Sequence, residues 1–172
     1  MEFDALIRRR ESVRSYDPSR PVRKEILTRI LEAGRMAPSA ANRQPWRFIL
    51  VSSPEMRARV GECYGKQWFA DAPHCLVVVG KPADAWTRRQ DGYNSLETDL
   101  TIALDHMILA AENEGVGTCW IAAYDPDALR EALGLGKEER VFSITPLGYP
   151  RPGYERKAEK QRKSLEEIAR FV

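Results

Sequence analysis

Cationic side chains gather in two places on this chain: Arg8, Arg9 and Arg10 with Arg14 near the start, and Arg156, Lys157, Lys160, Arg162 and Lys163 near the end. Net charge is only +2, from 27 basic and 25 acidic residues, so no global field argues for nucleic acid. Two separated clusters on a near-neutral chain suit a compact anion such as a phosphate better than a polyanion. Taken alone, each cluster reads first as a solvated face. The earlier one also has a structural reason to exist, because cations are favoured at a helix C-terminus.

Other chemistries find little footing. Cys63, Cys75 and Cys119 form no CxxC pair, and His74 and His106 stand apart from them, so a disulfide framework, a cluster or a zinc site is not expected. Cys75 and Cys119 lie in apolar runs, where a thiol reads as a small buried hydrophobe. Gly115 and Gly117 form a Gly-x-Gly, but after a helical pattern and before a strand, the reverse of a dinucleotide-binding turn. A Walker loop, a GxSxG elbow and a diagnostic carboxylate pair are all absent from the sequence. The start of the chain carries no charged-then-apolar leader pattern and no apolar run reaches a membrane span, so the expectation is a cytoplasmic protein that binds neither membrane nor nucleic acid.

The elements that must position any site follow from periodicity. Phe3, Leu6 and Ile7 make one face of a first helix that runs into the arginines. Pro21 precedes a second, with Val22, Ile26, Leu27, Ile30, Leu31 and Gly34 at helical spacing, and Pro38 ends it. Residues 39–45 have turn chemistry. Residues 46–51 read as a strand, Ser53 and Pro54 open another helix, and 75–80 is a β-branched run expected to be buried on both faces. Residues 81–95 are polar and irregular, carrying Trp86 and Tyr93. The longest helix is expected over 96–113; it is apolar nearly all round and must be covered by core or by a partner. Gly115 and Gly117 stop it, 118–123 is expected as a third strand, Asp125 caps a short helix ending at Gly134, and 141–147 is a fourth strand. No linker or repeat divides the chain, so residues 1–172 are expected to form a single α+β domain.

Four segments in one order rise above these weak signals: RRRESVRSY at 8–16, APSAANRQPW at 37–46, GVGTCWI at 115–121, and GYP at 148–150 followed by Lys160 and Arg162. In this combination the chain resembles the nitroreductase family, from its first helix to Arg162, with 37–46 the most specific segment. The resemblance implies a nitroreductase-like fold, a mostly antiparallel central sheet flanked by helices in an intertwined homodimer, with FMN sites shared between subunits. It also implies NAD(P)H as electron donor and a small-molecule acceptor such as a nitroaromatic, a quinone or a free flavin, reduced in a ping-pong cycle.

By resemblance, Arg10, Ser12, Lys160 and Arg162 approach the flavin phosphate, a role that suits the planar fork of Arg. Arg14 matches a basic position near the flavin pyrimidine edge, where a cation would stabilise negative charge. Pro38, Ser39, Ala40 and Asn42 match the loop that touches the flavin from the other subunit. Ile121, Ala122 and Ala123 match the strand end facing flavin N5, with the Ala122 amide as the expected donor to N5; many relatives have Gly or Glu there. Trp46, in the same motif as Gln44, is expected in the core. A polar family residue before the buried strand has no direct counterpart, and Gln67 is the substitute, although a surface Gln reads as well. The 81–95 segment is shorter than in larger relatives, so substrate class does not transfer from them. Two other readings stay open: a non-catalytic flavin-binding or storage protein, and a reductive dehalogenase on the same fold.

Overall fold

The computed structural model describes residues 1–156 and 160–172; Lys157 of the second basic cluster lies outside them. The centre of the fold is strand β2 (His74–Gly80), buried along its whole length. Alternate side chains of a strand face opposite ways. Leu76 and Val78 accordingly join one apolar cluster with Ile26, Ile30, Leu100 and Leu104, while Cys75, Val77 and Val79 join another with Val60, Leu129 and Ile144. The first cluster belongs to helices α2 (Lys24–Arg35) and α5 (Leu96–Asn113), the second to α3 (Pro54–Gly61) and α6 (Pro126–Leu133). The sheet thus lies between two helix pairs.

Strands β1 (Trp46–Val51), β3 (Gly117–Thr118) and β4 (Arg140–Gly148) complete a four-stranded sheet in the order β1-β2-β4-β3, with every ladder antiparallel. Trp46 pairs with Gly80 and Val51 with Cys75, so β1 has the expected bounds. Caps fix the short helices as their sequences require: Asp125 accepts the amides of Asp127 and Ala128 at 3.0 and 3.1 Å, and Gly134 ends α6 in the left-handed region at φ 62°. Two further short helices, α4 (Gln67–Ala70) and α7 (Leu165–Ile168), have no periodicity long enough to announce them.

The expected third strand over 118–123 is interrupted. Ladder pairing covers only Gly117–Thr118 and resumes as a single bridge between Ile121 and Ile144, in the same register. Ile144 exchanges both backbone bonds with Ile121, at 3.0 and 3.2 Å, so Pro146, two residues on, turns the same edge toward Cys119. Proline has no N–H to give, and the ladder lapses there.

Helix α5 runs over the expected residues. Its covered side includes Asp99 and Glu112, each 2% exposed, beside Leu100, Leu104 and Met107. At Gly34 a Cβ would lie 2.7 Å from Met107 Cγ, so the Met107 side chain packs into the space that glycine leaves on α2. On the other side Ile102, His106 and Leu109 stay half-buried. Among the described residues no helix is long and apolar enough to cross a membrane, and no group of three His, Cys, Asp or Glu could hold a metal ion.

Candidate functional site

Helix α1 (Phe3–Arg9) ends where Arg10 turns extended, its N–H donating to the Leu6 carbonyl at 2.9 Å. The chain then runs along β3, Ser12 bridging Thr118 and the Val13 N–H donating to the Thr118 carbonyl at 2.8 Å. A Cβ on Gly117 would meet the Val13 side chain at 3.0 Å, so glycine eases this close approach. From the far end of the sequence, the tail after β4 returns along the same segment. The Asp17 N–H donates to the Tyr149 carbonyl at 2.9 Å, Tyr16 bridges Pro150, and the Tyr154 hydroxyl donates to Glu11 at 3.2 Å. Lys160 Nζ donates to the Ile7 carbonyl at the end of α1.

The return closes a cavity of about 600 Å³ lined by Arg8, Arg9, Arg10, Glu11, Ser12, Arg14, Lys160, Gln161 and Arg162. The structure therefore brings Arg10, Ser12, Arg14, Lys160 and Arg162 together across the length of the chain. Its cations are not equivalent. Arg8 pairs with Asp4 at 2.9 Å and Arg9 with Glu112 at 2.8 Å. Among the described residues no carboxylate lies in ion-pair range of Arg10, Arg14, Lys160 or Arg162. Burial lowers the proton affinity of Lys160, and the neighbouring Arg10 and Arg162 lower it further, against the weaker pull of Glu11 and Glu112 beyond ion-pair range. Crowded cations without carboxylate partners, beside a hydroxyl, make a receptor for a compact anion.

Beyond β3, Ile121 is buried and its amide is spent on Ile144, but Ala122 and Ala123 are exposed. Their N–H groups make no hydrogen bond among the described residues. Cys119 is buried, and burial raises its thiol with Arg14 and Ser12 opposing, which fits the expected inert thiol.

Pro38, Ser39 and Ala40 do not line the cation cavity. They border a second recess of about 290 Å³, with Trp86, Tyr93, Ser95, Thr98, Asp99 and Ile102. Asn42 is exposed, and its Oδ1 accepts from Gln44 Nε2 at 3.1 Å. Ala41, Asn42 and Gln44 all have φ near +50°, sterically costly for residues with a side chain. The loop is held by its own Ser39 Oγ, which accepts the Gln44 N–H at 2.9 Å, and by Asp99 on α5, which accepts the Ala40 N–H at 2.9 Å. Gln67 lies elsewhere again, at the start of α4 beside Arg57 and Lys66, its amide donating to Asp71 at 2.9 Å. The structure does not bring it to the cations.

Four residues escape the sequence reading: Asp99, which accepts from the loop, Glu112, which pairs with Arg9 and Arg156, and the aromatic pair Trp86 and Tyr93 beside the loop. Asp99 left a faint signal, as a carboxylate at buried spacing between Leu96 and Ala103. Glu112 left none, because its partners are brought by the docking of α1 and the return of the tail.

Comparison with known proteins identifies the family and the fold. The model of the Nitroreductase family matches residues 7–69 and 60–149. A relative from Archaeoglobus fulgidus that bears an NADH dehydrogenase/NAD(P)H nitroreductase name is 34% identical over 151 residues, 85% of this chain and 84% of that one. The crystal structure of a nitroreductase family protein from Clostridium difficile 630 superposes with a TM-score of 0.86 at 31% identity, covering 99% of this chain and 98% of the other. An FMN-dependent nitroreductase from Clostridium difficile R20291 superposes with a TM-score of 0.81 at 25% identity, covering 98% of each. By its family model, its relatives and its fold, this chain belongs to the nitroreductase family.

Proposed function

We propose that the protein is an FMN-dependent NAD(P)H oxidoreductase working as a homodimer with shared sites. The observation that carries this reading is the cation cavity: Arg10, Arg14, Lys160 and Arg162, without carboxylate partners among the described residues, converge with the Ser12 hydroxyl from both ends of the chain. FMN fits that donor set, with Arg10, Ser12, Lys160 and Arg162 on its phosphate. When bound, FMN supplies a two-electron carrier that accepts hydride from NAD(P)H and reduces an acceptor such as a quinone, a nitroaromatic or a free flavin in a ping-pong cycle.

The chain's own groups bind and orient. By the family resemblance Arg14 would supply positive charge at the pyrimidine edge, and the Ala122 N–H, unspent among the described residues, is available as a donor to N5. No side-chain acid or base is required for hydride transfer. The loop at 38–42 faces a different recess from the cations, which supports service to the site of a second copy. Exposed Phe3, Ile7 and Met36 on one side, and Leu165, Ile168 and Phe171 on the tail, supply apolar surface for that copy. The recess at Trp86 and Tyr93 has no cation in its lining, and the neighbouring Arg88, 5.0 Å from the Tyr93 ring, is paired with Asp91, which favours a neutral acceptor over a zwitterionic substrate for dehalogenation.

Acid release and chromatography of the purified protein should yield FMN and not FAD. Anaerobic addition of NADH or NADPH should bleach the yellow protein within seconds. Recovery of FAD, or no flavin affinity at all, refutes the cofactor assignment; a flavoprotein that stays yellow is a binding or storage protein instead.

A further inference from the structure

We propose that Glu112 is the positioning residue of the anion site: its buried carboxylate gathers the end of α1 and the returning tail, and so sets where the phosphate-binding cations stand. The proposal rests on the reading of the cavity as a flavin phosphate site.

A buried carboxylate is costly unless it is paired. Glu112 lies at the last turn of α5 with its side chain 3% exposed, and its ion-pair partners among the described residues are two arginines from distant segments: Arg9 Nε at 2.8 Å and Arg156 Nη1 at 3.0 Å, the latter also 3.9 Å from Glu11. Neither N–H is aimed along a hydrogen-bond line to Oε1, so the contact is one of charge. Arg156 also donates to the Arg9 carbonyl at 3.1 Å, joining residues 147 apart in sequence.

The order along the chain gives this knot its consequence. Arg10 follows Arg9 directly, and Lys160 and Arg162 follow Arg156 within six residues. Glu112 therefore takes up one arginine on each segment, just before the cavity's Arg10 and its Lys160 and Arg162, and among the described residues those three have no carboxylate in ion-pair range. A cluster of like charges repels itself, and the negative charge behind it lets the two basic segments stand side by side before any anion arrives. If that charge is removed, Arg9 and Arg156 lose their common partner, and the cations beside them repel with only the Arg156–Arg9 and Lys160–Ile7 carbonyl bonds left, among the described residues, to hold the tail to α1.

Glu112→Gln keeps shape and volume and removes only the charge. The test compares FMN with riboflavin, which lacks the phosphate, by titrating flavin-free full-length protein and following flavin fluorescence. Wild type should prefer FMN. In Glu112→Gln, FMN affinity should fall at least about tenfold, the scale of one charge-assisted hydrogen bond, while riboflavin affinity stays within about twofold. A merely structural role would weaken both ligands together or change only the melting temperature, so an unchanged FMN-to-riboflavin ratio overturns the proposal. Should Glu112→Gln fail to fold, Arg156→Met removes the tail's tie to Glu112 without leaving the carboxylate unpaired, because Arg9 remains. It should show the same phosphate-selective loss, and an unchanged ratio there is equally fatal. Wild type without any preference for FMN refutes the phosphate reading itself, and this proposal with it; a preference that survives both variants refutes this proposal alone.

Discussion

Asp99 accepts the amide hydrogen of Ala40 at 2.9 Å, tying the most strained loop of the chain to the first turn of α5. Its other oxygen accepts the Ser95 hydroxyl at 2.8 Å, so this buried carboxylate is fully engaged. Glu112 stands 13 residues further along the same helix, about 20 Å away at the helical rise. One rigid element thus carries the anchor of the loop at one end and the anchor of the cation cavity at the other.

Asp99→Ala should leave the Ala40 N–H and the Ser95 hydroxyl without their acceptor, at a cost of about 1–3 kcal/mol in a urea melt. The left-handed conformations at Ala41, Asn42 and Gln44 then lose their external support. Turnover with NAD(P)H should fall further than FMN affinity, because the phosphate cavity is untouched. Asp99→Asn retains an acceptor for Ala40 and should recover most of the activity. Equal turnover in Asp99→Ala and wild type removes the loop from the site.

Lys160→Met together with Arg162→Met tests the distant cations without shortening the chain. Removing two charge-assisted hydrogen bonds to a phosphate should weaken FMN binding by about a hundredfold or more, with riboflavin affinity unchanged. Equilibrium titration of both ligands decides it. FMN affinity equal to wild type would mean that the tail is a solvated face after all.

How much of this was legible beforehand differs from element to element. β1 and α5 could be read to the residue, because a strand bounded by Pro45 and Ser52 and an 18-residue apolar helix leave few alternatives. The interruption after Thr118 could not, since it depends on Pro146 standing opposite Cys119, a matter of register. At the site, the cations were visible by type and distance in sequence, and motif resemblance joined them. The carboxylates that sort them were not visible. Glu112 sits in a helix whose buried face looks apolar, and nothing local says that Arg9 and Arg156 will meet it. Pairings made by tertiary return of the chain leave no periodic trace.

His74 offers a test of the fold apart from catalysis. Its Nε2 accepts the Val22 N–H at 3.1 Å, so the proton of the neutral ring is on Nδ1, 2.8 Å from Ser52 Oγ. Burial holds the imidazole below its ordinary value of 6.5, and Arg57 lowers it further. Folding therefore favours the neutral ring. Its contribution is whole above about pH 6.5 and is lost as pH falls from there through the lower folded value. Urea midpoints should decline between about pH 7.5 and pH 5.5, and the decline should be shallower in His74→Gln, which can both accept and donate but does not titrate. Parallel curves for the two proteins would place the pH dependence elsewhere.

The sharing of sites between chains has a direct genetic test. Arg10 belongs to the cation cavity and Asn42 to the loop that borders a different recess. Suppose Arg10→Ala and Asn42→Ala each abolish NAD(P)H oxidation as homodimers. If every site takes Arg10 from one chain and Asn42 from the other, a mixed dimer holds one doubly damaged site and one intact site. Random pairing of equal amounts makes about half of the dimers mixed, so about a quarter of all sites should regain activity, and about half of the sites in an isolated heterodimer. If both residues serve the site of their own chain, every site carries one lesion and nothing returns. Coexpression under two tags, isolation of the doubly tagged dimer and measurement of turnover per bound flavin separates the cases. A folded, flavin-loaded heterodimer without recovered activity sinks the shared site while leaving the flavin assignment standing.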